Sequence, residues 1–452
     1  MSVEQPGAQP ETRPLSQLLR TVVEVKPSEL KAMVLAALYF FFLLASYFIL
    51  RPIRDEMAVA AGVSKLPWLF AGTLAAMLLC NPLFSVLVAH FRVKQFIGIT
   101  YQFFVLNLLL FYVLSRTLST AEEPWLGRAF FIWTSVYNLF VVSVFWCFIA
   151  DNFRSEQGKR LFGFIGMGGT VGSICGSALT ALLAVRIGTT RLLLVSAALL
   201  EVTFLIVLSF PKPSAVQPAS ESEPPSSIIG GSAWAGISRV TKSPYLLGIC
   251  AFLLLYTLGS TFLYFEQTEV VGRYFSSRNA RTEMLAKLEF GSQLLTVLIQ
   301  FFLTGRVIRW IGLAATLAVM PVISAIGFSA IGLSALQATA LLPCFVAFAI
   351  LRRGTNFGLM NPAKEVLFTV VKREDKFKAK SFIDTFVYRT GDQIAAWTYA
   401  ALSALGLGLS GIAWVAVPLS AIFVALAIWL GRTEEKMAVA SRGSPETPSS
   451  SL

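Results

Sequence analysis

Arg51 and Arg54 stand three residues apart in Arg51-Pro-Ile-Arg54-Asp55-Glu56. On a helix this spacing puts both guanidiniums on one face, where two planar donor forks can grip a polyanion. The alternative is an interfacial pair that snorkels to water or pairs with Glu56. Glu266-Gln-Thr-Glu269-Val-Val-Gly-Arg273 occupies a similar place further along, and acid facing base between the two segments would form a gate. Asp384-Thr-Phe-Val-Tyr388-Arg389-Thr-Gly391-Asp392 sets a base and an acid three residues apart, and Glu201 and Arg352-Arg353 interrupt two more apolar runs. An ionisable side chain at a bilayer centre costs about 2.5–3.5 kcal/mol on insertion scales, so such residues pair or face a water-filled path. Anion binding, charge gating and proton carriage are therefore the chemistries on offer. No nucleophile, dyad or metal-ligand spacing accompanies them, and Cys80, Cys147, Cys175, Cys250 and Cys344 sit singly in apolar runs. Neither an enzyme, a disulfide framework, a metal nor a cofactor is expected.

The elements that must carry these residues follow from composition. Hydrophobic residues make up 56% of the 452 and charged residues 14%, against about 45–50% and 25% in soluble chains. This excludes a soluble protein and points to a polytopic one in a lipid bilayer. The excess of 37 basic over 25 acidic residues is then a matter of membrane topology rather than nucleic-acid binding. Requiring about 20 apolar residues per span predicts an all-α protein of twelve helices, near 31–54, 66–89, 95–115, 127–150, 161–185, 191–211, 244–268, 287–305, 311–333, 337–358, 381–405 and 410–431. Most Lys and Arg fall on the side of the two termini, which the positive-inside rule makes cytoplasmic. Residues 1–30 and 432–452 read as a cytoplasmic tail and a disordered one, and the Pro/Ser-rich 212–243 as a flexible linker between bundles at 31–211 and 244–431. Weak correspondences between helices 1 and 7 and between helices 5 and 11 point to two parallel halves with substrate between them, the major-facilitator plan. Six glycines in helix 5, Gly163, Gly166, Gly168, Gly169, Gly172 and Gly176, predict close helix approach.

Several segments together resemble a known family. Arg51-x-x-Arg54-Asp55, Phe145-Trp-Cys-Phe-Ile-Ala-Asp151 with Lys159-Arg160, Glu269-Val-Val-Gly-Arg273, and Lys378-Ala-Lys-Ser-Phe-Ile-Asp384 with Arg389-Thr-Gly391 are similar to the ATP/ADP translocases of intracellular bacteria and plastids. The resemblance covers roughly residues 30–430. It implies a twelve-helix, major-facilitator-like carrier that exchanges nucleotides without soluble cofactors. By the same resemblance, the family's functional Lys-Asp at the end of helix 1 corresponds to Arg54-Asp55, a Glu after Phe-Trp-x-Phe to Asp151, and the helix 7 Glu to Glu269. The family's helix 11 Lys corresponds to Asp392, which replaces a positive charge with a negative one.

The resulting expectation is an alternating-access carrier of nucleotides or another phosphorylated anion in the bacterial inner membrane. Arg51, Arg54, Arg353 and Arg389 are the expected substrate contacts. Asp55, Asp151, Glu269, Arg273 and Asp392 are the expected gate or counter-charge groups. A proton-coupled carrier of another metabolite or drug, with Glu201 or Asp392 as proton acceptor, is the alternative. A non-transporting scaffold or sensor is disfavoured because intramembrane charges would cost stability without a use. A small anion and the bilayer are the expected partners, and no protein partner is evident.

Overall fold

A computed structural model describes residues 29–443 apart from 91–92, 120–121, 154, 211–240, 242, 336, 372–379 and 381–382. The expected linker and the basic segment before helix 11 lie almost wholly outside these residues. Twelve long helices and no strand occur among the described residues. They are α1 Leu30–Ala61, α2 Leu66–His90, α3 Val93–Thr117, α4 Glu123–Asn152, α5 Ser155–Ile187, α6 Thr189–Leu208, α7 Pro244–Tyr274, α8 Arg278–Phe302, α9 Thr304–Ser334, α10 Ala338–Thr355, α11 Tyr388–Ala404 and α12 Leu409–Gly443. Ten of them, α1 to α9 and α12, contain a stretch long and apolar enough to cross a membrane.

The helices outrun their apolar cores. α1 was expected to stop at residue 54 but continues to Ala61, where Gly62 turns the chain at φ +83°. Arg51, Arg54, Asp55 and Glu56 therefore sit inside a helix, and both acids are buried. Pro52 removes only one amide bond, to the Phe48 carbonyl, a loss that neighbouring helices make tolerable in a membrane bundle. α7 likewise runs past Glu266 and Glu269 to Tyr274. α8 starts well before the expected residue 287, because the Ser277 side chain caps it by accepting the Ala280 amide at 3.2 Å. At the other end of the chain, α12 extends through residues expected to be a disordered tail. Thr433-Glu-Glu-Lys-Met-Ala-Val-Ala440 is rich in strong helix formers.

Gly168, Gly172 and Gly176 lie on one stripe of α5 against α1. A methyl group at each would run into the backbone carbonyls of Ala37, Phe41 and Ala45 respectively. Gly163 and Gly166 face open space and take no part in this contact. The halves meet where α8 packs along α5 and α1, and where α2 packs on α11.

Three apolar cores divide the bundle. One, built around Tyr39, Phe104, Phe145 and Leu200, belongs wholly to the first half. Another, around Phe252, Leu317, Phe368 and Phe423, belongs wholly to the second. The third joins them: Val59, Leu69 and Phe131 from the first half interdigitate with Leu263, Phe265, Val271 and Leu288 from the second. This shared core lies at the end of the bundle remote from the chain termini, so the halves are sealed there.

Candidate substrate cavity

Two interrupted helices shape the centre. α10 widens at Asn356–Met360 into a π turn before the short helix Asn361–Val366, and a second π turn, Ile383–Val387, leads into α11. Wide turns of this kind recur at functional sites, where they re-aim side chains. Arg352 and Arg353 immediately precede the first, and Tyr388, Arg389 and Asp392 follow the second. α1 supplies Arg51 and Arg54 from across the interface between the halves.

These side chains line a cavity of about 340 Å³ between the halves, within the range of about 300–1,000 Å³ typical of small-molecule sites. Five guanidiniums face it: Arg51, Arg54, Arg352, Arg353 and Arg389, together with the carboxylate of Asp392. Phe70, Phe131, Tyr256, Tyr264, Phe357 and Tyr388 supply aromatic surface. The Arg54 guanidinium stands 5.3 Å from the Phe131 ring centre, and that of Arg389 stands 6.0 Å from Tyr388.

Carboxylates hold most of these cations. Glu289 of α8 is buried and accepts from Arg51 Nη1 at 2.9 Å and from Gln293 Nε2 at 2.9 Å. Arg353 Nη1 lies 3.5 Å from its second oxygen. Arg54 donates to the neighbouring Asp55 through Nε at 2.9 Å and Nη2 at 2.7 Å, and the Tyr264 hydroxyl donates to the same oxygen at 3.0 Å. Arg389 and Asp392 approach to only 3.9 Å. Arg353 also donates to Gln267 at 2.6 Å.

A second set of charges joins the halves at the sealed end. Glu56 of α1 accepts from Arg281 at 2.8 Å and pairs with Arg278 at 3.2 Å, both on α8. Arg278 also reaches Glu123 at the start of α4, 3.1 Å away. The Asn279 side chain accepts the amide and hydroxyl of Thr189 at 3.0 and 2.9 Å.

Of the residues singled out in the sequence, Arg51, Arg54, Arg353, Arg389 and Asp392 line the cavity. Asp55 lies directly behind Arg54. Glu269 faces no arginine of α1; it pairs within its own helix with Arg273 at 3.5 Å, with Glu269 partly buried and Arg273 exposed. Asp151 is exposed at the end of α4 and lines no part of the cavity. Glu201 lies between α6 and α3, accepting from Gln102 at 2.9 Å, away from the cavity. Sequence reasoning missed Glu289, Arg278 and Arg281 as interface groups, and it noted Arg352 beside Arg353 but counted only Arg353 among the expected contacts. A signal existed for Glu289, because it falls on the stripe of Leu285, Leu288 and Ser292 that α8 buries.

Two six-helix halves around a charged central cavity form the architecture of an alternating-access membrane carrier. The family model of the Major Facilitator Superfamily matches residues 6–369, and the chain belongs to that superfamily. ADP,ATP carrier protein 1 of Chlamydia pneumoniae is 22% identical over 447 residues, covering 84% of this chain and 86% of that protein. Its counterpart in Chlamydia muridarum is 23% identical over 445 residues, covering 84% and 83%. Among solved structures, the nucleoside transporter NupG overlays with a TM-score of 0.57 at 15% identity, covering 91% of this chain and 99% of NupG. A bacterial homologue of the human lysosomal transporter Spinster, inward-facing and unoccupied, gives 0.58 at 14% identity, covering 93% and 100%. These overlays bear on the fold alone. The chain is a membrane transporter, and the motif resemblance to ATP/ADP translocases is matched by similarity along most of its length.

Proposed function

We propose that this transporter exchanges nucleotides, or another phosphorylated anion, across the bacterial inner membrane. The carrying observation is the cavity of five guanidiniums set among aromatic rings. Guanidinium forks suit phosphate oxygens, and aromatic faces suit a planar base. Arg51, Arg54, Arg353 and Arg389 are the proposed contacts, with Asp55 and Asp392 as counter-charges that set how much negative charge the site accepts. Asp151, Glu269 and Arg273 lie outside the cavity and would act on access rather than on binding. The names of the Chlamydia relatives support the same substrate class. Both termini are proposed to be cytoplasmic on the basic-residue bias, so the sealed end would face the periplasm and the described conformation would be inward-facing.

Uptake into proteoliposomes tests the proposal. Labelled ATP or ADP should enter rapidly only when the vesicles are preloaded with counter-substrate, and a protonophore should change little. Equal uptake into empty vesicles, abolished by the protonophore, would move the function to proton coupling. Asp392 would then be the acceptor to test first, since it borders the cavity whereas Glu201 does not.

A further inference from the structure

Four of the five cavity arginines touch a carboxylate. Arg51 and Arg353 share Glu289, Arg54 holds Asp55, and Arg389 faces Asp392. Arg352 differs. It is 3% exposed, and its described hydrogen bonds all go to neutral acceptors: Nε to Ser324 Oγ at 3.0 Å, Nη1 to Ser260 Oγ at 2.9 Å and Nη2 to the Tyr256 carbonyl at 3.3 Å. The Tyr256 ring lies 5.7 Å from the guanidinium carbon. Glu266 on α7 is within electrostatic range, yet neither of its oxygens has a hydrogen-bond partner among the described residues. α7, α9 and α10 thus hold a buried cation rigidly in place without neutralising it by contact. Room for the fork is left by Gly259, where a methyl would come within 2.9 Å of Nη2.

We infer that Arg352 is the oxyanion seat of the cavity, the arginine whose counter-charge is delivered by the substrate. A guanidinium has five N–H donors; three are used in positioning, which leaves two for an incoming oxyanion. No internal ion pair has to break for that contact to form, whereas a substrate bound by Arg51, Arg54 or Arg353 must compete with a carboxylate already in place. Arg389, only loosely faced by Asp392 at 3.9 Å, has a side chain 42% exposed rather than held in position. Phosphate and carboxylate groups share the required chemistry, and the inference rests on the anion-exchange reading above only in naming phosphate as the group.

Equilibrium binding of inorganic phosphate, AMP, ADP and a dicarboxylate to the purified, detergent-solubilised full chain tests it. Arg352→Gln should weaken ADP roughly 10- to 150-fold, the usual consequence of losing a charged hydrogen-bond partner. Arg352→Lys, which keeps the charge without the fork, should recover part of that loss. Gly259→Ala should also weaken ADP while leaving every charge in place. A monodisperse Arg352→Gln protein that binds ADP within threefold of wild type overturns the seat. If that variant does not fold, wild-type ADP affinity in Gly259→Ala overturns it. A wild type that binds the dicarboxylate but no phosphate compound, and loses the dicarboxylate in Arg352→Gln, keeps the seat and refutes the substrate class. A wild type that binds none of them overturns both.

Discussion

Arg54 and Asp55 form a unit whose halves cannot be separated cheaply. Asp55 is 4% exposed and depends on two Arg54 donors and one phenol. Breaking a buried pair by deleting one partner costs about 3–5 kcal/mol, so Arg54→Ala should lower thermal stability in detergent as well as transport. Arg54→Ala combined with Asp55→Asn should regain stability while transport stays impaired; an unchanged melting temperature in the single variant would show that the pair carries no structural weight. Asp392 is the opposite case. At 3.9 Å its contact with Arg389 is long for a charge-assisted bond, which favours a role in limiting substrate charge over a fixed pair. Asp392→Lys changes the local charge by two units and should raise affinity for ATP relative to AMP in competition assays. An unaltered rank order with activity retained would remove Asp392 from substrate selection. Most of these residues were legible in the sequence because a charge inside an apolar run has few reasons to be there. Adjacent arginines were not resolvable in the same way: Arg352 and Arg353 point about 100° apart on a helix, and only the packing of α10 against α8 on one side and α7 and α9 on the other decides which meets Glu289 and which does not.

At the scale of elements, the glycine stripe of α5 makes the sharpest forecast. Gly172→Leu would drive a side chain into the Phe41 carbonyl of α1, and backbone cannot yield as a side-chain tip can. The yield of monodisperse protein should collapse, whereas Gly163→Leu, facing open space, should elute like wild type. Equal behaviour of the two would mean that α1 and α5 are not held by this contact. Apolar run length gave all twelve helices and their order. It misjudged their ends, because charges that lipid would expel are instead buried against charges on other helices, as Glu56 is against Arg278 and Arg281. The stretch from Arg278 to Lys287 therefore resembled a loop although it opens α8. The π turns beside α10 and α11 left no mark either, since a shift from i−4 to i−5 pairing changes neither composition nor the apolar pattern enough to register.

For the whole molecule, the question is what keeps one end sealed. Glu56 is 1% exposed and links α1 to two arginines of α8, so Glu56→Gln should loosen the closure without emptying the site. Spin labels at Ala60 and Ser276, on opposite halves at that end, should show a longer-distance population in the variant. A distribution identical to wild type would assign closure to the apolar contact alone. That apolar contact has a thermal signature of its own. Opening the sealed end would wet Leu69, Phe131, Leu263 and Phe265, which now cover one another. Exposing apolar surface to water raises heat capacity, and the force opposing it fades on cooling. The balance between the two orientations should therefore bend with temperature, with the chilled, empty carrier drifting toward the orientation in which this core is parted and the warm one resting with it shut.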